Sequence, residues 1–143
     1  MPTTQASRIA LIGSPNSGKS LLFNRLTGLN QKVANFPGIT VNIASGQSLD
    51  NKAVQYLDFP GVYSLQAISG EEKVAVEAFT SALQDNLLDA VVCVVDITRL
   101  EKGLIFALQV LETCHRHSIP VLIAANMLDV LDQHGMQFDC SGL

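Results

Sequence analysis

Basic charge, paired cysteines and long apolar runs are all scarce in this sequence, and each shortage excludes a class of protein. Nine Lys and Arg stand against thirteen Asp and Glu, a formal net charge of −4 with a pI near 5.2. Such a balance does not build a surface that follows a polyphosphate backbone, which argues against nucleic acid as a partner. Cysteine occurs three times, at Cys93, Cys114 and Cys140, never in CxxC spacing. That leaves neither a disulfide framework nor a zinc site and fits a reducing cytosol. No run of 18 apolar residues occurs. The nearest approach, 87–97, is bracketed by Asp89 and Asp96 and has the length of a buried strand, so direct membrane insertion by this chain is not expected. Residues 1–7 are polar, lack the apolar centre of a signal peptide and read as a flexible terminus. What is present is globular: 143 residues, 48% hydrophobic and 15% charged, enough for one core and one domain, 1–143.

Apolar periodicity alternates between strand and helix. Residues 7–13 read as a short apolar strand, and 18–26 as a helix with Leu22, Phe23 and Leu26 at helical spacing. Residues 40–44 and 53–57 alternate apolar with polar around the Asp50–Asn51 turn pair and read as a hairpin. A capping box, Ser69 with Glu72, opens a helix near Gly70, and a second, Thr98 with Glu101, opens one that ends near His115. Residues 89–96 are a near-continuous β-branched run with the pattern of a parallel strand covered on both faces, placed at the sheet centre, and 120–125 read as another buried strand. Residues 130–143 form a polar, weakly patterned partial tail. This order predicts an α/β fold: a three-layer sandwich with a mostly parallel sheet and one antiparallel hairpin strand.

The chemistry concentrates where predicted strands end. Residues 13–20 spell GxxxxGK[ST] between a strand and a helix, the context of a phosphate-binding loop. Gly13 and Gly18 let successive N–H groups turn toward phosphate oxygens. Lys19 reaches the β and γ phosphates, and Ser20 offers a hydroxyl to Mg²⁺. Asp58 with Gly61 forms DxxG at the end of a strand, where Asp58 holds Mg²⁺ through water and the Gly61 N–H meets a γ-phosphate. Thr40, in the Pro- and Gly-bearing stretch 35–40, is a candidate second hydroxyl for Mg²⁺. Asn126 and Asp129 make NxxD. A carboxylate there accepts hydrogen bonds from the N1–H and amino group of guanine, which adenine does not offer. Residues 32–40 and 61–69 flank the γ-phosphate position and are expected to be mobile. His115 and His117, at a helix C-terminus, read as dipole partners rather than metal ligands.

These motifs resemble those of the translation-factor-related small GTPases, and their wording is similar to that of the FeoB family of bacterial ferrous iron transporters. The resemblance lies in 13–20 followed by Leu22-Phe23-Asn24, in 35–41 (Asn-Phe-Pro-Gly-Ile-Thr-Val), in 58–65 (Asp-Phe-Pro-Gly-Val-Tyr-Ser-Leu) and in 126–129 (Asn-Met-Leu-Asp), and runs over roughly 8–130. Ser14 stands where that family commonly has Asn, and Leu21 where it often has Thr or Ser. The resemblance implies a Ras-like P-loop GTPase fold whose last strand and helix are missing here. It implies GTP or GDP, Mg²⁺ and K⁺ as cofactors. Nucleotide contacts would come from Gly13, Ser14, Pro15, Asn16, Ser17, Gly18, Lys19, Ser20 and Leu21, then from Gly38, Ile39 and Thr40, from Asp58 and Gly61, and from Asn126, Met127 and Asp129. Asn16 would hold the potassium ion and, with Lys19, Thr40 and Gly61, serve catalysis.

Val62 occupies the place of the water-orienting Gln of Ras-type enzymes and can neither donate nor accept a hydrogen bond, so slow hydrolysis is expected. By the resemblance the chain is a fragment of a larger protein. Its partners would be that protein's own helical regulatory and membrane permease domains, with a homo-oligomer possible, at the cytoplasmic face of the bacterial inner membrane. Two other readings stay open on sequence alone: a ribosome-assembly or translation-type GTPase, which would usually bring a basic extension, and a non-catalytic docking fragment.

Overall fold

A computed structural model describes residues 7–28, 31–34, 42–66 and 70–126. Among these residues six strands form one sheet: β1 (Ser7–Gly13), β2 (Gln31–Ala34), β3 (Ile43–Gln47), β4 (Val54–Asp58), β5 (Ala90–Asp96) and β6 (Val121–Asn126). Helices α1 (Lys19–Thr27), α2 (Gly70–Gln84) and α3 (Leu100–Arg116) separate them. The strand order is β2-β3-β4-β1-β5-β6. β1 pairs in parallel with β4 and β5, β5 in parallel with β6, and β3 runs antiparallel to both β2 and β4. One strand against five is the mostly parallel α/β sheet expected from the sequence.

Alternation along the strands divides the core. Ala10 and Ile12 of β1, Leu57 of β4, and Val91, Cys93 and Val95 of β5 join Phe79, Ala82 and Leu83 of α2 with Phe106, Ala107 and Val110 of α3 in one buried cluster. Phe59 meets Phe79 edge-to-face, ring centroids 5.6 Å apart, a geometry that adds to area burial. α1 lies against β1 and β4 and brings its buried Phe23, which completes three layers.

Several boundaries differ from the sequence expectation. β2 was not anticipated: Gln31–Ala34 carries one large apolar residue, exposed Val33, and is held by backbone pairing with β3. The hairpin strands lie further along the chain, at Ile43–Gln47 and Val54–Asp58, and Thr40 and Val41 fall outside the described residues. Their turn is as expected, with Asn51 accepting from Ala53 N–H through its side chain and from Val54 N–H through its carbonyl. The Thr98–Glu101 capping box does not form. Asp96 takes Thr98 instead, accepting from both its N–H and its hydroxyl, and a 3-10 turn (Ile97–Arg99) precedes α3. Ser69 of the other capping box lies outside the described residues.

Strand β6 is also not covered on both faces. It is the sheet edge among the described residues, with Leu122 65% and Ile123 36% exposed. A continuous apolar run cannot by itself report whether a layer covers each face.

Cys93 and Cys114 are free and buried in the cluster. Burial, and for Cys93 the neighbouring Cys114 as well, pushes their thiols from 9.0 to about 12 and about 11. A raised acid pKa means that the unfolded state sheds its proton first. The stabilisation is therefore complete below pH 9.0 and is lost as pH climbs toward 11–12. Stability is expected to fall by about 2 kcal/mol between pH 8 and pH 10 from these two groups. Urea unfolding at both pH values, beside a Cys93→Ala/Cys114→Ala variant, checks it: an equal fall in both proteins would refute the attribution.

Candidate phosphate-binding site

The parallel register sets three strand ends side by side. Leu11 pairs with Asp58, Gly13 with Val94, and Asp96 with Asn126, so β1, β4, β5 and β6 end on one edge. This is the carboxyl edge where α/β sheets bind ligands. Gly13 has no room for a side chain: a Cβ would lie 2.8 Å from the Val94 carbonyl oxygen and 2.9 Å from Ser17 Oγ. The chain then turns through two left-handed residues, Asn16 (φ 67) and Gly18 (φ 87). Asn tolerates that region and Gly adopts it freely.

Ser17 N–H closes the turn on the Ser14 carbonyl at 3.2 Å. No side chain caps α1, which leaves its first N–H groups and the positive end of its dipole for an anion. Ser14, Pro15, Asn16, Gly18, Lys19, Ser20, Leu21 and Gly61 line a cleft of about 270 Å³ at this point.

Lys19 is 6% exposed. Its ammonium donates to the Asp58 carboxylate and to the Phe59 carbonyl. The other Asp58 oxygen lies 3.4 Å from Ser20 Oγ. A buried cation needs such partners, and here they stand where phosphate oxygens would otherwise serve. Ser20 and Asp58 also supply two neighbouring hard oxygens, a donor set suited to Mg²⁺.

Past Asp58 the chain crosses the phosphate loop. A Cβ on Gly61 would sit 3.0 Å from Pro15 N, and Val62 N–H donates to the Gly13 carbonyl at 3.0 Å. The Val62 side chain is 1% exposed and belongs to the hydrophobic cluster, so it is turned away from the cleft. The start of 61–69, a stretch expected to be mobile, makes these contacts in the structure; 67–69, like 35–40, lies outside the described residues.

At the end of β6, Asn126 donates from Nδ2 to the Ser17 carbonyl at 2.9 Å, bracing the phosphate loop from the neighbouring strand end. Met127 and Asp129, with Gly38, Ile39 and Thr40, lie outside the described residues. Asn16 is exposed, and its side chain makes no hydrogen bond among the described residues. Among the described residues there is also no group of three His, Cys, Asp or Glu placed to hold a metal, and no helix long and apolar enough to cross a membrane.

Sequence reasoning missed two participants. The Phe59 carbonyl is a backbone atom that no residue type announces, and the Gln109 side chain on α3 accepts from Ser64 and Leu65 across more than forty residues. A larger cavity of about 400 Å³ lies on the other side of the loop, between Ser14, Pro15 and Asn16, Tyr63, and the start of α3.

Known proteins share this arrangement. A Leptospira biflexa Fe(2+) transporter FeoB is 39% identical over 136 residues, 94% of this chain and 19% of its own length. The Escherichia coli K12 Fe(2+) transporter FeoB is 38% identical, again over 94% of this chain and 17% of its own. The chain thus spans less than a fifth of those relatives. Among solved structures, a variant of S. thermophilus NFeoB bound to GDP superposes with a TM-score of 0.81 at 42% identity, covering 94% of this chain and 50% of that one. NFeoB of the same source bound to GDP.AlF4- and K+ superposes at 0.76 and 46% identity, covering 94% and 49%. The family model described as ferrous iron transport protein B matches 7–143, and on that match the chain belongs to the ferrous iron transport protein B family.

Proposed function

We propose that this chain binds GDP and GTP with Mg²⁺ and hydrolyses GTP slowly in a potassium-dependent way, as the nucleotide-binding domain of a bacterial Fe²⁺ transporter. The observation that carries this reading is the loop at 13–20: a left-handed Asn16 and Gly18, an uncapped helix start and a buried Lys19 held by a displaceable carboxylate. Relatives bound to GDP and to GDP.AlF4- with K+ support it. Gly13, Ser14, Pro15, Ser17 and Gly18 present backbone to the phosphates, with Leu21 at the cleft wall. With nucleotide bound, Lys19 would pair with phosphate oxygens in place of Asp58, and Ser20, Asp58 and Thr40 would hold Mg²⁺, which would supply positive charge against the phosphates. Gly38 and Ile39 would contact the nucleotide, and Asn126, Met127 and Asp129 would serve the guanine side, with the Asp129 carboxylate selecting the base.

Gly61 offers its N–H to the γ-phosphate. With Val62 turned into the core, no side chain at that position orients water, and the rate is expected at or below about 10⁻² s⁻¹. Asn16 would hold K⁺ through its side-chain oxygen, and the ion would supply positive charge near the phosphates. The remaining length of the relatives suggests that this domain works with helical regulatory and permease segments of one protein, or with a second copy, at the cytoplasmic face of the inner membrane.

Single-turnover GTP hydrolysis in KCl and NaCl at matched ionic strength tests the reading. A faster rate in KCl is expected, and Asn16→Ala is expected to remove that difference while GDP affinity stays within about threefold, because loop amides and Lys19 still grip the β-phosphate. Equal rates in the two salts would reject the potassium step. No measurable GDP affinity in the parent chain would favour a docking fragment instead.

A further inference from the structure

Residues 61–66 are held at two points, and only one of them is the phosphate loop. At the start, Val62 N–H donates to the Gly13 carbonyl. At the far end the partner comes from the middle of α3: Gln109 Oε1 accepts from Leu65 N–H at 2.8 Å and from the Ser64 hydroxyl at 3.1 Å. Ser64 Oγ in turn accepts from Gln66 N–H at 3.0 Å. A backbone N–H can only donate, so Leu65 fixes which way the Gln109 amide faces. The neighbours of Gln109 divide otherwise: Phe106, Ala107 and Val110 fill the core, and Leu108 is exposed. The side chain of half-buried Gln109 bonds, among the described residues, to this segment alone.

We propose that Gln109 is a positioning residue for GTP hydrolysis: its side-chain carbonyl latches 64–65 to α3 and so holds the Gly61 backbone against Pro15 of the phosphate loop. The inference rests on the GTPase reading above. A short segment fixed at both ends has fewer conformations to lose when the Gly61 N–H takes its place at the γ-phosphate, and that preorganisation is worth rate. GDP lacks the γ-phosphate, so the latch acts on hydrolysis and leaves GDP affinity alone. The same contact makes α3 a lever: a displacement of α3 reaches the phosphate loop through two hydrogen bonds.

The test compares Gln109→Leu with Gln109→Glu, which keeps acceptor oxygens of nearly the same reach. In Gln109→Leu, amide exchange at Leu65 is expected to quicken roughly tenfold and single-turnover GTP hydrolysis to slow roughly fivefold to tenfold, the worth of about one lost hydrogen bond, with GDP affinity within twofold. Gln109→Glu is expected to restore both the exchange protection and most of the rate. Unchanged Leu65 exchange in Gln109→Leu would overturn the latch itself. Quickened exchange with an unchanged hydrolysis rate would overturn its role in positioning, and a Glu variant as impaired as Leu would assign the effect to packing. If the parent chain hydrolyses no GTP, the GTPase reading fails, and Leu65 exchange in the nucleotide-free protein still decides whether the latch exists.

Discussion

Lys19→Ala should lower GDP affinity by at least about 100-fold, close to 3 kcal/mol, in an isothermal titration. Among the described residues Lys19 is the one side-chain cation lining the 270 Å³ cleft of the phosphate loop, and the loop N–H groups cannot supply its full charge. The structure adds a second consequence. Without the ammonium, Asp58 loses its ion-pair partner while its side chain is only 15% exposed. An unpaired carboxylate at that depth costs about 1–3 kcal/mol, so Lys19→Ala should also melt earlier in the absence of nucleotide. Adding Asp58→Ala to it removes the stranded charge. The double variant should regain most of the melting temperature and none of the GDP affinity. Recovery of affinity together with stability would show that Lys19 acts through folding and does not bind phosphate. Unchanged GDP affinity in Lys19→Ala would dismiss the phosphate site altogether.

Gly13→Ala carries the second large effect. The new methyl group would meet the Val94 carbonyl oxygen at 2.8 Å and Ser17 Oγ at 2.9 Å. The serine hydroxyl can rotate away, but the carbonyl belongs to β5 and is fixed by parallel pairing with β1. Relief requires β1 and β5 to part at the end that carries the loop. An insertion of this kind into packed structure costs about 1–3 kcal/mol, and the resulting shift opens the phosphate cradle. Urea unfolding should show that loss of stability, and GDP affinity should fall more than tenfold. A variant within about 0.5 kcal/mol of the parent with unaltered GDP binding would mean that the strand ends adjust freely, contrary to the close packing seen here.

The phosphate loop was legible because its chemistry is local. Gly13, Gly18, Lys19 and Ser20 lie within eight consecutive residues, and the apolar strand before them and helical spacing after them are local as well. The strand β2 was not legible, because Gln31–Ala34 is held by backbone bonds to β3 and backbone bonds leave no hydrophobic pattern. The start of α3 was misread for a related reason. Thr98 and Glu101 have the spacing of a capping box, but Asp96 lies closer and accepts from Thr98 first. Val62 has no hydrogen-bonding side chain, which its residue type states, but its burial in the α2–α3 core is a tertiary fact that the residue type only permits.

By itself the sequence determined the alternation of strand and helix, a mostly parallel sheet with one antiparallel strand, and the glycine-rich loop between β1 and α1, because each is written in residue type at short spacing. Only the tertiary structure decided that Lys19 rests on Asp58 and the Phe59 carbonyl, that Asn126 braces Ser17 from a strand more than a hundred residues away, and that Gln109 holds Leu65. These contacts join residues far apart in the chain. They depend on which strand ends the parallel register brings together and on which face of α3 is left half-buried, and a one-dimensional pattern contains neither.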